Sequence, residues 1–229
     1  MLRERLRKVR ERVKQACERA GRDEQSVTLI AVSKTFPMSS VLEAYQAGIR
    51  HFGENRVQEL NEKSKNLPGV VNNGDIYWHM IGHAQRNKAK DIVSNADMMH
   101  SLDSVRLASE LNKRASGLRD KIPCMIQVNV SGESSKFGLQ PQEVEGFLEE
   151  IREFEHIDPT GLMTLAAPAK NPEDIRPQFT LLRSLRDELG CKYASIKNLS
   201  MGMSGDFEVA IEEGATHVRI GSLLFGSRY

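Results

Sequence analysis

Apolar runs recur along this chain, and helical periodicity returns between them. Leu2, Leu6, Val9, Val13, Ala16 and Ala20 stand at helical spacing and predict one amphipathic helix ending near Gly21. The β-branched run Val27-Thr28-Leu29-Ile30-Ala31-Val32-Ser33 then predicts a buried strand. A helix follows from Ser39-Ser40 to Gly48, with Val41, Leu42 and Tyr45 facing inward. Further strands are predicted over 49–53, 76–81, 98–102, 122–130, 161–165, 195–200 and 216–220. The helices between them are predicted over 55–65, 85–93, from Asp103 or Ser104 to 115, 141–154, 175–189 and from Ser204 to Gly214. Pro141 stands where a first helical turn tolerates proline, and Gly190 where a helix ends. Strand–helix alternation implies a parallel sheet. Eight units predict a single closed (β/α)₈ TIM barrel over 1–229, with the first helix (1–20) packed outside it. An open doubly wound sheet is the competing architecture, but no glycine-rich dinucleotide turn follows the first strand.

Composition narrows the partners. The chain has 229 residues, 39% hydrophobic and 28% charged, with a formal net charge of +1, so neither nucleic acid nor a membrane surface is expected to bind by charge. The basic stretch over 1–14 carries Glu4 and Glu11 and reads as a solvated helix face. The three cysteines, Cys17, Cys124 and Cys191, are far apart, which implies neither a disulfide framework nor a zinc site. With no apolar signal segment and no membrane-length run, a cytoplasmic setting is expected.

The candidate chemistry lies where barrel enzymes keep it, at the C-terminal ends of the strands. Lys34 closes the first strand. A desolvated lysine there can form a Schiff base with a carbonyl; the plainer alternative is a side chain reaching water from the strand end. The turns after strands seven and eight, Leu199-Ser200-Met201-Gly202-Met203-Ser204 and Arg219-Ile220-Gly221-Ser222, each offer a glycine and hydroxyls at the two places where barrels hold phosphate. Arg219 shares a side of the last strand with Gly221, and an arginine in a barrel interior needs a partner. His79 shares a face with Ile81 and points inward, as a core histidine or a site residue. Glu54 could pair with Arg56, Arg219 or Lys34, and Asn55 could cap a helix or reach a ligand. The loop over 131–138 is a candidate lid or binding segment. Met163, Met201 and Met203 would pack the barrel top. No histidine spacing suggests a metal site.

A Schiff-base lysine with a phosphate grip fits either a phosphosugar aldolase or a pyridoxal phosphate protein. Further residues decide. Ala31-Val32-Ser33-Lys34-Thr35, Phe52-Gly53-Glu54-Asn55-Arg56-Val57-Gln58-Glu59, Trp78-His79-Met80-Ile81-Gly82, Ser134-Ser135-Lys136-Phe137-Gly138, Gly161-Leu162-Met163, Leu199-Ser200-Met201-Gly202-Met203-Ser204 and Val218-Arg219-Ile220-Gly221 stand in one family's order and spacing. Over essentially its whole length the chain resembles the YggS/PROSC family of pyridoxal phosphate homeostasis proteins. The resemblance implies a barrel like the N-terminal domain of bacterial alanine racemase, with pyridoxal 5'-phosphate bound to Lys34 as an internal aldimine. Ser200, Met201, Gly202, Gly221 and Ser222 would hold the phosphate, Arg219 would face the pyridine nitrogen, and Asn55, His79 and Met163 would border the ring. Ala84 and Arg86 depart from the family's usual leucine and serine.

Two functions follow from the resemblance. One is a carrier, expected as a monomer, that buffers the cofactor or delivers it to apoenzymes without robust catalysis. The other is an amino-acid racemase or related enzyme. Racemization needs a second base opposite the lysine, and Tyr45, Tyr77, Tyr193 and Tyr229 lie in no recognisable catalytic loop. The sequence ends directly after the last predicted strand, so the second domain that supplies that base in alanine racemase is not expected.

Overall fold

In the computed structural model, which describes residues 1–72, 74–133, 136–167 and 169–226, eight parallel strands pair in chain order and β8 closes on β1. They are β1 Thr28–Val32, β2 His51–Glu54, β3 Tyr77–Met80, β4 Met98–Leu102, β5 Ile122–Gln127, β6 Ile157–Met163, β7 Asn198–Met203 and β8 His217–Ile220. The helices are α1 Leu2–Arg19, α2 Met38–Gln46, α3 Val57–Lys65, α4 Ala89–Asn95, α5 Val105–Ala115, α6 Val144–Glu150, α7 Arg176–Gly190, α8 Phe207–Glu212 and α9 Ser222–Phe225. The (β/α)₈ barrel with an added N-terminal helix is thus observed.

Alternation along each strand separates two interiors. Outward residues, among them Phe52, Trp78, Met80, Leu162, Leu199, Met201, Val218 and Ile220, join the helices in one continuous apolar layer. Ile30, Val32, Ile81, Met125 and Met163 are buried outside that layer, alongside the polar His79, His100, Ser200 and Arg219. Barrels commonly fill their centre with branched apolar side chains. A centre this polar costs stability unless every group is partnered, and so marks the place to look for function.

The α1 helix buries Leu2, Leu6, Val9, Val13, Ala16 and Cys17 along one face. Arg12 and Arg19 pair with Glu208 and Glu212 of α8, each at 2.7 Å. Arg22 donates to the Ile211 carbonyl at the end of α8.

Several elements differ from expectation, among them β5, which ends at Gln127 and not at 130. Strand β6 starts at Ile157, four residues before the expected 161, and runs through Pro159. Proline lacks the ladder donor, and the β5–β6 register shifts between Cys124 and Met125, beside Pro159, which absorbs the defect. Strand β7 runs three residues past its expected end, to Met203. Helix α8 therefore starts at Phe207, and Ser204 does not cap it; the Asp206 carboxylate accepts the Met203 N–H instead. The helix expected over 141–154 is a 3₁₀ turn over Pro141–Glu143 followed by α6.

Candidate functional site

Lys34 is half-buried in the turn directly after β1. That turn is tied down from below. The Ser33 hydroxyl donates to Glu54 Oε1 at 2.6 Å, and Lys63 Nζ donates to the same oxygen at 2.6 Å and to the Ser33 carbonyl at 2.8 Å. Thr35, next to Lys34, has φ +67°, which a β-branched residue adopts only when its surroundings enforce it. Its N–H donates to Glu59 Oε2 at 2.6 Å. Glu59 and Lys63 lie one helical turn apart on α3, so a single helix supplies both clamps. Glu54 is fully buried, and its Oε2 has no hydrogen-bond partner. Burial raises its carboxyl above the usual range, against the lowering effect of Lys63 and Ser33. Of the partners weighed from sequence for Glu54, Arg56 and Arg219 make no ion pair with it among the described residues; Lys63 does.

Arg219 points into the barrel centre and is 3% exposed. Its Nη1 donates to Ser200 Oγ at 2.6 Å and its Nη2 to the Thr164 carbonyl at 2.8 Å. No carboxylate forms an ion pair with it among the described residues, although Asp206 is near enough to favour its charge. Burial brings its pKa down to about 10, so it stays protonated near neutrality. Ser200 also meets His100 Nδ1 at 2.8 Å. The structure thus gives the Ser200 hydroxyl to Arg219 and His100. His79 likewise has both ring nitrogens engaged, Nε2 with His51 Nδ1 at 3.0 Å and Nδ1 with His100 Nε2 at 2.9 Å. It lies inside the barrel, where its reach toward a ligand is indirect. Burial lowers the pKa of His79 and His100 well below the histidine range and that of His217 to about 4, so the group is neutral at physiological pH.

The loops after β7 and β8 meet where phosphate was expected. The Gly221 N–H donates to Ser204 Oγ over a long 3.3 Å, and Ser222 follows in the open at the start of α9. The Met201 side chain belongs to the outer apolar layer, leaving only its backbone for the loop. Gly202 has φ +91°, and a Cβ there would stand 2.6 Å from Ala210 Cβ and 2.9 Å from Phe207 Cα. Its substitution Gly202→Ala is expected to cost roughly 2–4 kcal/mol, combining left-handed strain with overpacking. The urea midpoint of unfolding checks this, and an unchanged midpoint contradicts it.

Asn55 sits half-buried just beyond β2, and α3 is entered through Arg56 without a side-chain cap. A Cβ on Gly82 would lie 2.2 Å from the Asn55 carbonyl oxygen, so the loops after β2 and β3 touch only because residue 82 is glycine. Met163 ends β6, fully buried and opposite Ser200 of β7. Of the 131–138 loop, Ser134 and Ser135 lie outside the described residues. Phe137 stacks on His83 at 3.8 Å, and Gln127 Nε2 holds the Phe137 carbonyl at 3.1 Å, so this loop lies against the one after β3. Ala84, one of the two departures, is buried, and Arg86, the other, is exposed.

The structure therefore gathers Lys34, Arg219, Met163, Gly202, Gly221 and Ser222 around the ends of β1, β6, β7 and β8. His79 stands below them. The clamp residues Glu54, Glu59 and Lys63 and the partners His51 and His100 were not identified as site residues from sequence. A signal existed for the histidines: four of six lie within strands, where an inward polar residue is uncommon. Among the described residues no group of three histidine, cysteine or acidic side chains is placed to hold a metal, and no helix is long and apolar enough to cross a membrane.

Residues 5–229 match the family model described as alanine racemase, N-terminal domain. The chain is 47% identical over 226 residues to a pyridoxal phosphate homeostasis protein of Aquifex aeolicus, covering 98% of this chain and 97% of that one. It is 43% identical over 235 residues to the Homo sapiens protein of the same name, covering 97% and 85%. The solved structure of PipY from Synechococcus elongatus PCC7942 with PLP bound superposes with a TM-score of 0.85 at 35% identity, covering 99% of this chain and all (100%) of that one.

Proposed function

This chain belongs to the alanine racemase N-terminal domain family, among its pyridoxal phosphate homeostasis proteins, and from that membership and the geometry of the barrel mouth we propose that it binds pyridoxal phosphate through Lys34 and serves its homeostasis as a carrier. The observation that carries this reading is Arg219: a buried guanidinium held by a hydroxyl and a carbonyl, with no carboxylate in ion-pair contact among the described residues. It has donors to spare for one neutral acceptor at the mouth, and a pyridine nitrogen is such an acceptor.

The rest of the site fits the same group. The β1–β8 register sets Ala31 beside Ile220, so the turn carrying Lys34 rises next to Gly221 and Ser222. A phosphate oxygen would replace the long Ser204–Gly221 contact, with the Ser222 hydroxyl and the Gly202 backbone adjoining. Met163 and Asn55 would flank the ring. Ser200 supports Arg219, and His79 supports His100.

Bound pyridoxal phosphate supplies an aldehyde that condenses with an amine and, when its ring nitrogen is protonated, an electron sink. Arg219 gives that nitrogen a hydrogen bond but keeps its own proton, which weakens the sink and favours holding over turnover. The tyrosines support the carrier reading. Tyr45 donates to Asp75, Tyr193 to Glu149, and Tyr77 opens β3 at the opposite end of the barrel. None of these three faces the mouth as a second base.

The deciding experiment incubates the loaded protein with single-enantiomer amino acids in deuterium oxide. A carrier is expected to show no exchange at Cα beyond one equivalent per protein. Sustained exchange over many turnovers would overturn the carrier reading in favour of a racemase or related enzyme. Transfer to an apoenzyme faster than spontaneous release is the positive expectation.

A further inference from the structure

From His51 to Arg219 a line of hydrogen bonds crosses the barrel centre. His51 Nδ1 meets His79 Nε2 at 3.0 Å, His79 Nδ1 meets His100 Nε2 at 2.9 Å, His100 Nδ1 meets Ser200 Oγ at 2.8 Å, and Arg219 Nη1 closes on Ser200 at 2.6 Å. The strands β2, β3, β4, β7 and β8 contribute one residue each. We propose that this chain has one fixed direction, set by Arg219, and that His100, His79 and His51 are positioning residues that hold the guanidinium aimed at the cofactor ring. The cofactor clause rests on the function proposed above; the direction of the chain does not.

The direction follows from donor and acceptor inventory. Arg219 can only donate, so Ser200 Oγ accepts from it. The Ser200 hydroxyl proton is then left for His100 Nδ1; were His100 to donate instead, that proton would be stranded at a fully buried oxygen. His100 Nδ1 thus accepts, and a neutral imidazole that accepts at one nitrogen donates at the other. Its Nε2–H goes to His79 Nδ1, and the His79 Nε2–H to His51 Nδ1. His51 is left donating from Nε2. It lines a cavity of about 1120 Å³ between α1 and the floor of the barrel, where water can accept that proton. All three imidazoles are therefore Nε2–H tautomers.

Among the described residues, the charged and titratable groups facing the line are His217, Arg219, Asp97 and Tyr77, whose ring stacks on His51 at 4.9 Å. His217 packs edge-on to His79 and His100, with ring centroids 6.3 and 5.7 Å away, Arg219 stands at the inner end, and Asp97 acts on His51 from the floor. A chain ending in an obligate donor cannot pass a proton to the ring without leaving an alkoxide at Ser200. It therefore holds, and does not conduct. Each bond polarises the next, so a break anywhere loosens the grip on Arg219.

The first test needs no cofactor. In ¹⁵N-histidine-labelled protein, imidazole ¹⁵N–¹H correlations between pH 6 and 8 are expected to show His51, His79 and His100 as neutral Nε2–H tautomers. An Nδ1–H resonance at any of the three overturns the proposal. The second test titrates pyridoxal phosphate into variants. His100→Phe cannot accept from Ser200 and is expected to bind about tenfold more weakly with a shifted visible absorption maximum. His100→Gln can both accept and donate, and is expected to restore both readouts. His100→Phe matching the unaltered protein in affinity and spectrum overturns the positioning role. If the unaltered protein takes up no pyridoxal phosphate, the proposed function fails, while the tautomers still decide the direction of the chain.

Discussion

Lys34→Ala protein, incubated with pyridoxal phosphate and reduced with borohydride, is expected to carry no covalent adduct, whereas the unaltered protein retains one at Lys34 through denaturation. Mass spectrometry of the peptide containing residue 34 reads the result directly. The expectation rests on placement. Lys34 stands half-buried on a turn whose neighbouring residue, Thr35, is held at positive φ by Glu59. Holding a β-branched residue there costs of order 1–3 kcal/mol, which surrounding bonds must offset. Such strain in the residue next to Lys34 is what a fixed nucleophile would require. Weak, reversible binding is expected to persist in Lys34→Ala, because Arg219 and the β7 and β8 loops remain. An adduct of equal yield on another lysine would remove Lys34 from the role.

Lys63→Met is expected to lower stability at pH 8 by roughly 3–5 kcal/mol, because it leaves the fully buried Glu54 carboxylate without its cation. The pH dependence gives this loss a signature. The folded-state pKa of Glu54 is already raised by burial, and removing Lys63 raises it further. A carboxyl with a raised folded pKa binds more protons folded than unfolded. Stability therefore falls as pH rises from its unfolded pKa through its folded one, and the deficit is complete above the latter. Acidification toward the ordinary carboxylate range is expected to restore Lys63→Met, until other carboxylates titrate. Glu54→Gln in the same background is expected to abolish that recovery. Urea unfolding of the three proteins between pH 5 and 8 measures both effects, and a pH-independent loss below about 1 kcal/mol would show that Glu54 does not need Lys63. Because Lys63 also holds the Ser33 carbonyl, the same variant is expected to take up pyridoxal phosphate more weakly even where it is folded.

Much of the architecture is legible from the order of residues. The strand read over 98–102 is found at Met98–Leu102, and the Leu2-to-Ala16 stripe is buried as its spacing requires. Apolar runs and helical stripes are local signals, and short-range sterics and burial act on them directly. The less legible places have non-local causes. Pro159 argues against a strand until the register shift opposite it is known. Ser204 reads as a helix cap until β7 is seen to run past Gly202, and then its hydroxyl serves Gly221 instead. The motif around Lys34 marks the end of β1, but does not point to Lys63, nine residues beyond Glu54 on α3, as the cation beneath it.

Sequence alone determined that this is a (β/α)₈ chain, that Lys34, Arg219 and the two glycine turns share one rim, and which family they resemble, because strand ends and turns are encoded where they occur. Only the tertiary structure decided what the interior polar groups do. Ser200 reads singly as a phosphate contact and His79 as a core histidine or a site residue, while His100 draws no reading at all. Closure of the barrel bonds His79 to His100, His100 to Ser200 and Ser200 to Arg219. Once buried, a donor or acceptor must be satisfied by whatever the fold places beside it, and a contact such as that between His100 and Ser200, 100 residues apart, is not written in any local stretch of the chain.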